Sequence, residues 1–409
     1  MKKIFFKPVL HSSISVVAIL ILLMALVGFI SMDMYFPSLP AIRESYNINV
    51  GTAQLTLTLF LCGFGFSQLF YGPLSDYYGR RPVLLTGFFI YLVATSALII
   101  TSNLSALLIA RLAQGIGAGA GASLSRVLLR DNFIGNKMAQ VTSYLTIGVA
   151  LATALAPALG GYIQQIAGFR SNFIAMLIFG VFVTIVILLY LPETNKSLGC
   201  NTLHPFKVIK GYGILLLNKT FVCNILCSSL ALSGLLAYAM MNPFLLQNNF
   251  HISSTYYGLI TLVIASGELI GTYINAQFVA RINHTAMMFV GIAIMLIAAV
   301  SLLIFNMLGI FTISSIVIST FILTISIGIT IPNATAGAFS EFNSSIGSVG
   351  AIYGSFQIVI TMITTYFIAS IPHQTPWHLG YILLTLGLAT LAIYSYLSYQ
   401  KMELSLSNF

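Results

Sequence analysis

Charge is what this sequence lacks most. Only 6% of its 409 residues are charged, while 58% are hydrophobic. A soluble domain carries about a quarter charged residues, so most of this chain's outer surface must face lipid. Cysteine is scarce too: Cys62, Cys200, Cys223 and Cys227 make no disulfide framework. Cys223 and Cys227 lie one helical turn apart in an apolar run and read as small hydrophobes, not metal ligands. No histidine pair or nucleophile constellation points to an enzyme, and no cofactor is expected. No extramembrane domain points to a receptor, since the longest polar segment runs only from Pro192 to Asn218.

What the sequence does have is long apolar runs. About 20 apolar residues span a bilayer as a helix. The runs are continuous rather than alternating, which favours helices over a barrel. Twelve spans are expected, near 14–37, 52–75, 83–101, 104–128, 138–165, 172–191, 220–246, 256–279, 286–305, 309–331, 347–371 and 377–399. Six fall on each side of the polar segment. This predicts an all-α membrane protein with one six-helix half over 1–195, a central loop over 196–218 and a second half over 219–409. The start resembles a signal peptide, with Lys2, Lys3 and Lys7 before the run Val16–Ile30. That run is too long and lacks a small-x-small cleavage site, so it is expected to stay as the first span.

Lysines and arginines set the orientation. With the N-terminus inside, the cytoplasmic ends hold Lys2, Lys3, Lys7, Arg80, Arg81, Arg126, Arg130, Lys137, Lys196, Lys207, Lys210, Lys219, Arg281 and Lys401, 14 of the 17. Both termini are then cytoplasmic. The net charge of +9 becomes a topology signal facing anionic lipid. Nucleic-acid binding would need those charges on one soluble domain, and it is not expected.

Several motifs carry more specific information. The loop after the second span reads Gly72-Pro73-Leu74-Ser75-Asp76-Tyr77-Tyr78-Gly79-Arg80-Arg81-Pro82. Glycines permit a tight turn, and an aspartate at a membrane boundary can pair with a cation or a helix N-terminus. The loop resembles the G-x-L-x-D-x-x-G-R-[RK] pattern of the major facilitator superfamily, at every fixed position. The resemblance implies a cytoplasmic latch made by Gly72, Asp76, Gly79, Arg80 and Arg81, which Arg130 and Asp131 join. The alternative is a loop that only sets topology. Arg111-Leu112-Ala113-Gln114-Gly115-Ile116-Gly117 is similar to that superfamily's fourth-helix motif, which implies proton coupling for Arg111. A mid-span arginine costs at least ~2.5–3.5 kcal/mol and needs a partner; a purely structural ion pair is the alternative.

The fifth span contains Pro157, Gly160 and Gly161, a step that bends a helix and thins its packing face. It is similar to the antiporter signature of drug exporters, with Ala152 and Ala156 where that pattern has glycine. The first span ends Asp33-Met34-Tyr35-Phe36-Pro37-Ser38-Leu39-Pro40. This D-x-Y-x-P-x-x-P pattern resembles the Bcr/CflA branch of the drug:proton antiporters. Pro332-Asn333-Ala334, Gly347 to Ala351, and Gln357 continue the style of that branch. The resemblance implies the major facilitator fold and a proton-coupled efflux transporter of the inner membrane, working as a monomer. Its partners would be a small-molecule substrate, protons and the bilayer. A dedicated exporter of one metabolite, such as a siderophore, and a proton-coupled nutrient symporter are the other readings.

Asp33 follows an uninterrupted apolar run, and Glu268 lies about halfway along the eighth span. Burial disfavours a carboxylate's charged form, which suits both to carrying protons, with Arg111. A gating role for Asp33 and a hydrogen-bonded structural role for Glu268 are the alternatives. Glu193, in Pro192-Glu193-Thr194, resembles the superfamily's usual ending of the sixth span. For the substrate pocket, Tyr35, Tyr238, Met241, Asn242, Tyr353 and Gln357 would make an adaptable amphipathic lining.

Overall fold

A computed structural model of the chain describes residues 14–133, 135–195, 213, 215–340, 342, 346–371 and 375–406. Lys2, Lys3, Lys7, Lys196, Lys207, Lys210, Cys200 and Glu341 lie outside the described residues, with most of the central loop and the side chains of Lys401 and Glu403. Twelve helices are long and apolar enough to cross a membrane among the described residues. In chain order they are α1 (Ile14–Asp33), α2 (Val50–Tyr78), α3 (Arg80–Ile100), α4 (Leu104–Asn132), α5 (Gly135–Ala167) and α6 (Arg170–Tyr190). The second half follows with α7 (Lys219–Pro243), α8 (Ser254–Ile282), α9 (His284–Met307), α10 (Ile313–Phe339), α11 (Ile346–Ala369) and α12 (Pro376–Leu406).

Most helices extend a few residues past the expected spans, and polar side chains cap the N-termini of six of them. Asn49, Asn103, Asn218, Ser253 and Asn283 each accept a backbone N–H of the helix they precede, and Thr312 forms a capping box with Ser315. These bonds satisfy N–H groups that have no partner within the helix.

The helices of the first half gather round α4, whose alternate glycines meet three neighbours. Gly115 lies on the Phe60 carbonyl of α2, Gly117 on the Tyr91 backbone of α3, and Gly121 on the Met24 carbonyl of α1. A Cβ at any of these would collide with main chain, so the glycine-x-glycine spacing sets how closely the bundle closes. The outer face carries lipid-suited side chains. In α5 the exposed stripe is Tyr144, Ile147, Leu151, Leu155, Leu159, Tyr162 and Ile166, a helical period with one apolar face turned outward.

The halves meet along two seams, α2 against α11 and α5 against α8. Their bonds gather at the end opposite the Gly72–Pro82 loop. There Gln54 Nε2 donates to the Met240 carbonyl at 3.0 Å, Gln247 Nε2 to the Pro37 carbonyl at 3.1 Å, and Gln164 Nε2 to Ser254 Oγ at 3.0 Å. Gly161 of α5 lies on the Ser254 carbonyl, and Gly258 of α8 on the Pro157 carbonyl. Toward the loop end α5 separates from α8, and Thr142 and Thr146 are exposed.

Candidate functional site

The first span does not run straight, as 14–37 would imply. Proline has no N–H, so Pro37 cannot bond the Asp33 carbonyl and Pro40 cannot bond that of Phe36. The helix stops at Asp33, loosens at Met34 and Tyr35, makes a tight turn over Phe36–Ser38 and resumes over Leu39–Ser45. The Leu39 N–H takes the Phe36 carbonyl, and side chains of other elements bond the rest of the loosened segment. Asn172 Nδ2 of α6 reaches Ser38 Oγ at 2.7 Å, the Gly160 carbonyl at 3.1 Å and the Met34 carbonyl at 3.4 Å. Gln247 covers the Pro37 carbonyl from the second half. The span 220–246 is interrupted likewise, since α7 passes into a wider π turn over Phe244–Asn248 after Pro243.

Next to the broken first span lies a cavity of about 550 Å³ between the halves, within the range that holds a drug-sized molecule. Asp33, Phe36, Pro157, Tyr238, Tyr257 and Thr261 line its closed end, and Phe64 and Glu268 its middle. Gln68, Arg126, Thr142 and Gly354 line it toward the loop end, where Gln357 follows one turn on. Its charged lining residues are Asp33, Glu268 and Arg126. Asp33 is buried, with no hydrogen bond or ion pair to its carboxylate among the described residues, and it lies within electrostatic range of Glu268. Two acids more than 200 residues apart in sequence thus share one chamber.

The pocket expectation needs correction. Tyr238 and Gln357 line the cavity, but Tyr35, Met241, Asn242 and Tyr353 do not. Tyr35 turns into the first half and bonds Thr56, Asn242 Nδ2 donates to Tyr238 Oη at 2.9 Å, and Tyr353 pairs with Thr335 at 2.9 Å. Met241 is fully buried. In helices this apolar, nothing in the pattern marks which face turns inward. The cavity walls from α5, including Thr146, Val149 and Thr153, carried no signal for the same reason.

Arg111 stands behind the cavity wall, without the ionic partner expected of it. Its guanidinium is fully buried, 4.0 Å from the ring centre of Tyr35 and 4.5 Å from that of Phe60. Nη1 donates to Gln114 Oε1 at 2.6 Å, while Nε and Nη2 have no hydrogen-bond partner among the described residues. The aromatic faces take the place of a carboxylate, an attraction that strengthens when desolvated. Of the three coupling candidates, Asp33 and Glu268 share the cavity. Arg111 does not line it, and is linked to it through Phe60, which stacks at 5.8 Å on the cavity residue Phe64.

The loop cluster is built around Arg80, which is buried. Nη1 donates to Ser75 Oγ at 2.7 Å and to Asp76, and Nε donates to Asp131 Oδ2 at 3.1 Å. Arg81 turns the other way and donates to the Leu188 carbonyl at 2.6 Å. Arg130 approaches Asp131 only to 3.9 Å from a half-exposed position, and Gly72 has open space beside it. Gly79 makes the joint at φ +103°, where side chains are strained. Glu193, which the sequence marks only as the usual ending of the sixth span, has a role that the motif does not tell. Its carboxylate accepts the backbone N–H of Arg80 at 2.9 Å and of Arg81 at 3.1 Å, capping α3, whose preceding Gly79 has no side chain to do so. A negative charge there also suits the helix dipole. These bonds tie α2, α3, α4 and the end of α6 within the first half.

Residues 21–357 match the model of the Major Facilitator Superfamily. The chain belongs to this superfamily. Among its relatives is Multidrug resistance protein D of Escherichia coli (strain K12), 27% identical over 378 residues, which cover 92% of this chain and 94% of that protein. Another is the Bicyclomycin resistance protein homolog of Haemophilus influenzae, 26% identical over 352 residues, covering 84% and 86%. The resemblance to the Bcr/CflA branch, read from the first span, agrees with both. The solved D-xylose-proton symporter has the same fold, with a TM-score of 0.74 at 17% identity, covering 93% of this chain and 97% of that one. The protein is a multi-pass transporter of twelve spans.

Proposed function

We propose that this transporter is a proton-driven exporter of small organic molecules across a bacterial inner membrane, with the loop end cytoplasmic. One observation carries the reading: Asp33 sits at the break of the first span, at the closed end of the cavity, with Glu268 on the facing half. An acid inside a membrane is a functional group by default. Two acids in one chamber can take protons from one side and release them to the other while substrate occupies the same space. Tying the halves at the far end and parting them at the loop end corresponds to the cytoplasm-facing stage of alternating access between repeats. The orientation is supported by the basic residues Arg80, Arg81, Arg126, Arg130, Lys137, Lys219 and Arg281 at the loop end, against Arg43 and Arg170 at the other. The printed names of the relatives, multidrug and bicyclomycin resistance proteins, favour drug-like cargo. The Arg80 cluster keeps the loop end of the first half rigid as the halves rock, and the transporter works as a monomer.

The test is transport in proteoliposomes under an imposed pH gradient. Asp33→Asn, whose amide cannot take up and release a proton near neutral pH, should lower gradient-driven transport by roughly tenfold or more and flatten its dependence on pH. Wild-type rates with an unchanged pH profile would refute the coupling. Symport is the second reading, favoured by Ala152 and Ala156 in the antiporter-like step. Reversing the gradient decides between them, because an antiporter moves substrate against the proton flow and a symporter with it.

A further inference from the structure

The cavity's third charge has no part in the proton coupling. Arg126 lies in α4, about 9 Å inside its loop end at ~1.5 Å per residue, and its guanidinium is open to the cavity. It makes one hydrogen bond, from Nη2 to Gln68 Oε1, and no ion pair among the described residues. The acid nearest in sequence, Asp131, is engaged elsewhere, paired with Arg80. Its outer edge lies against the backbone of Gly354 in α11, where the missing side chain leaves room for it. The guanidinium is exposed to the cavity with one amide as its hydrogen-bond partner among the described residues, which leaves most of its five N–H donors open to an anionic guest.

The acids stand at the other end. Gly121 of α4 lies level with Met24 of α1. The five residues from Gly121 to Arg126 and the nine from Met24 to Asp33 then put Arg126 and Asp33 ~20 Å apart along the axis at ~1.5 Å per residue. Glu268 falls between them, and Phe29, Phe64, Leu145, Val149, Leu235 and Ile358 line the space along the way. The chamber is therefore polarised, with one cation-seeking acid at its closed end and a second at its middle, apolar walls, and an anion-seeking guanidinium near its mouth.

We infer that the preferred cargo is an amphoteric molecule: an apolar aromatic body with a carboxylate or similar anion at one end and a cationic group at the other. The anion pairs with the Arg126 guanidinium, and the cation lies toward Glu268 and Asp33. The inference rests on the reading of this cavity as the transport site, and it deepens that reading by naming the cargo's charge pattern.

The test uses two dyes with one body, rhodamine B, which carries a free carboxylate, and its ethyl ester, which does not. Binding is measured by fluorescence anisotropy with the full-length protein in detergent at neutral pH, without any gradient. Arg126→Gln should weaken rhodamine B by about tenfold more than it weakens the ester, the size of one charge-assisted hydrogen bond. Arg126→Lys should recover part of the loss. Gly354→Leu, whose side chain would push the guanidinium aside, should weaken the acid dye selectively as well. A thermal melt of each variant identifies any that fails to fold, and either remaining variant then decides. Equal losses for both dyes, no loss for rhodamine B, or no binding of rhodamine B to the wild type would overturn the assignment. Failure of the export reading looks different: binding that depends on Arg126, with no gradient-driven movement of either dye in proteoliposomes.

Discussion

The two halves build one helix crossing twice and load it differently. In the first half, Gly63 of α2 lies on the Leu112 carbonyl of α4, and Gly119 lies near the Phe64 carbonyl. In the second, Gly267 of α8 lies on the Phe321 carbonyl of α10, and Gly328 on the Glu268 carbonyl. These matching contacts put Glu268 where the first half has Phe64, and Thr320 where it has Arg111. The glycines repeat because both crossings need the same close approach. The charges do not repeat, so the packing does not require them. The joints between the second and third helices of each half differ in the same way. Gly79 at φ +103° leads into a helix capped by Glu193 from a distant segment, whereas Asn283 at φ +75° caps its own helix.

Breaking the shared part of this comparison should cost most. Gly63→Val and Gly267→Val each force a side chain into a carbonyl, so each should destabilise by ~1–3 kcal/mol or more. The measurement is yield of monodisperse protein and melting temperature. A harmless change in one half and a ruinous one in the other would end the claim of a common crossing. Next comes the unshared part. Glu268→Phe copies the first half into the second, and it should leave the melting temperature nearly unchanged while lowering gradient-driven transport by roughly tenfold. Normal transport would make the acid dispensable. The caps are smaller. Glu193→Ala and Asn283→Ala should each lose about 1 kcal/mol of stability. Only the first loss should shrink as salt is added, because only that cap carries charge. Smallest is Arg130→Ala, whose long, half-exposed contact with Asp131 should change the melting temperature by no measurable amount.

The same contrast explains what could be read from sequence. Span number and order were legible because a bilayer demands long apolar runs whatever packs behind them. Asp33 and Glu268 stood out because charge inside such runs is rare. Pro37 and Pro40 signal the break after Asp33, but an apolar run counted by length passes straight through it. What lay hidden depends on the direction a side chain takes in a helix apolar all round. Tyr35 and Tyr238 look alike in sequence, but one faces Arg111 and the other the cavity. The partners of Arg111 were hidden because Tyr35 and Phe60 come from two other helices and carry no charge to announce themselves. Glu193 could have been found by asking which group satisfies the first N–H groups of α3 after an uncapping glycine.

The glycine pair of α5 has a mechanical consequence. Gly160 lies against the Met34 carbonyl of the broken first span, and its neighbour Gly161 against the Ser254 carbonyl of the opposite half. Consecutive residues point about 100° apart round a helix, so one end of α5 is gripped from two directions, while its other end packs only on the first half. That makes α5 a lever with its fulcrum at the closed end of the cavity. Thr142 lies eighteen residues from Gly160, a lever arm of ~27 Å at ~1.5 Å per residue. A tilt of about 10° at the grip would swing the mouth of the cavity by ~5 Å on that arm, roughly the width of a side chain. Little need move at the glycines for much to move at the door.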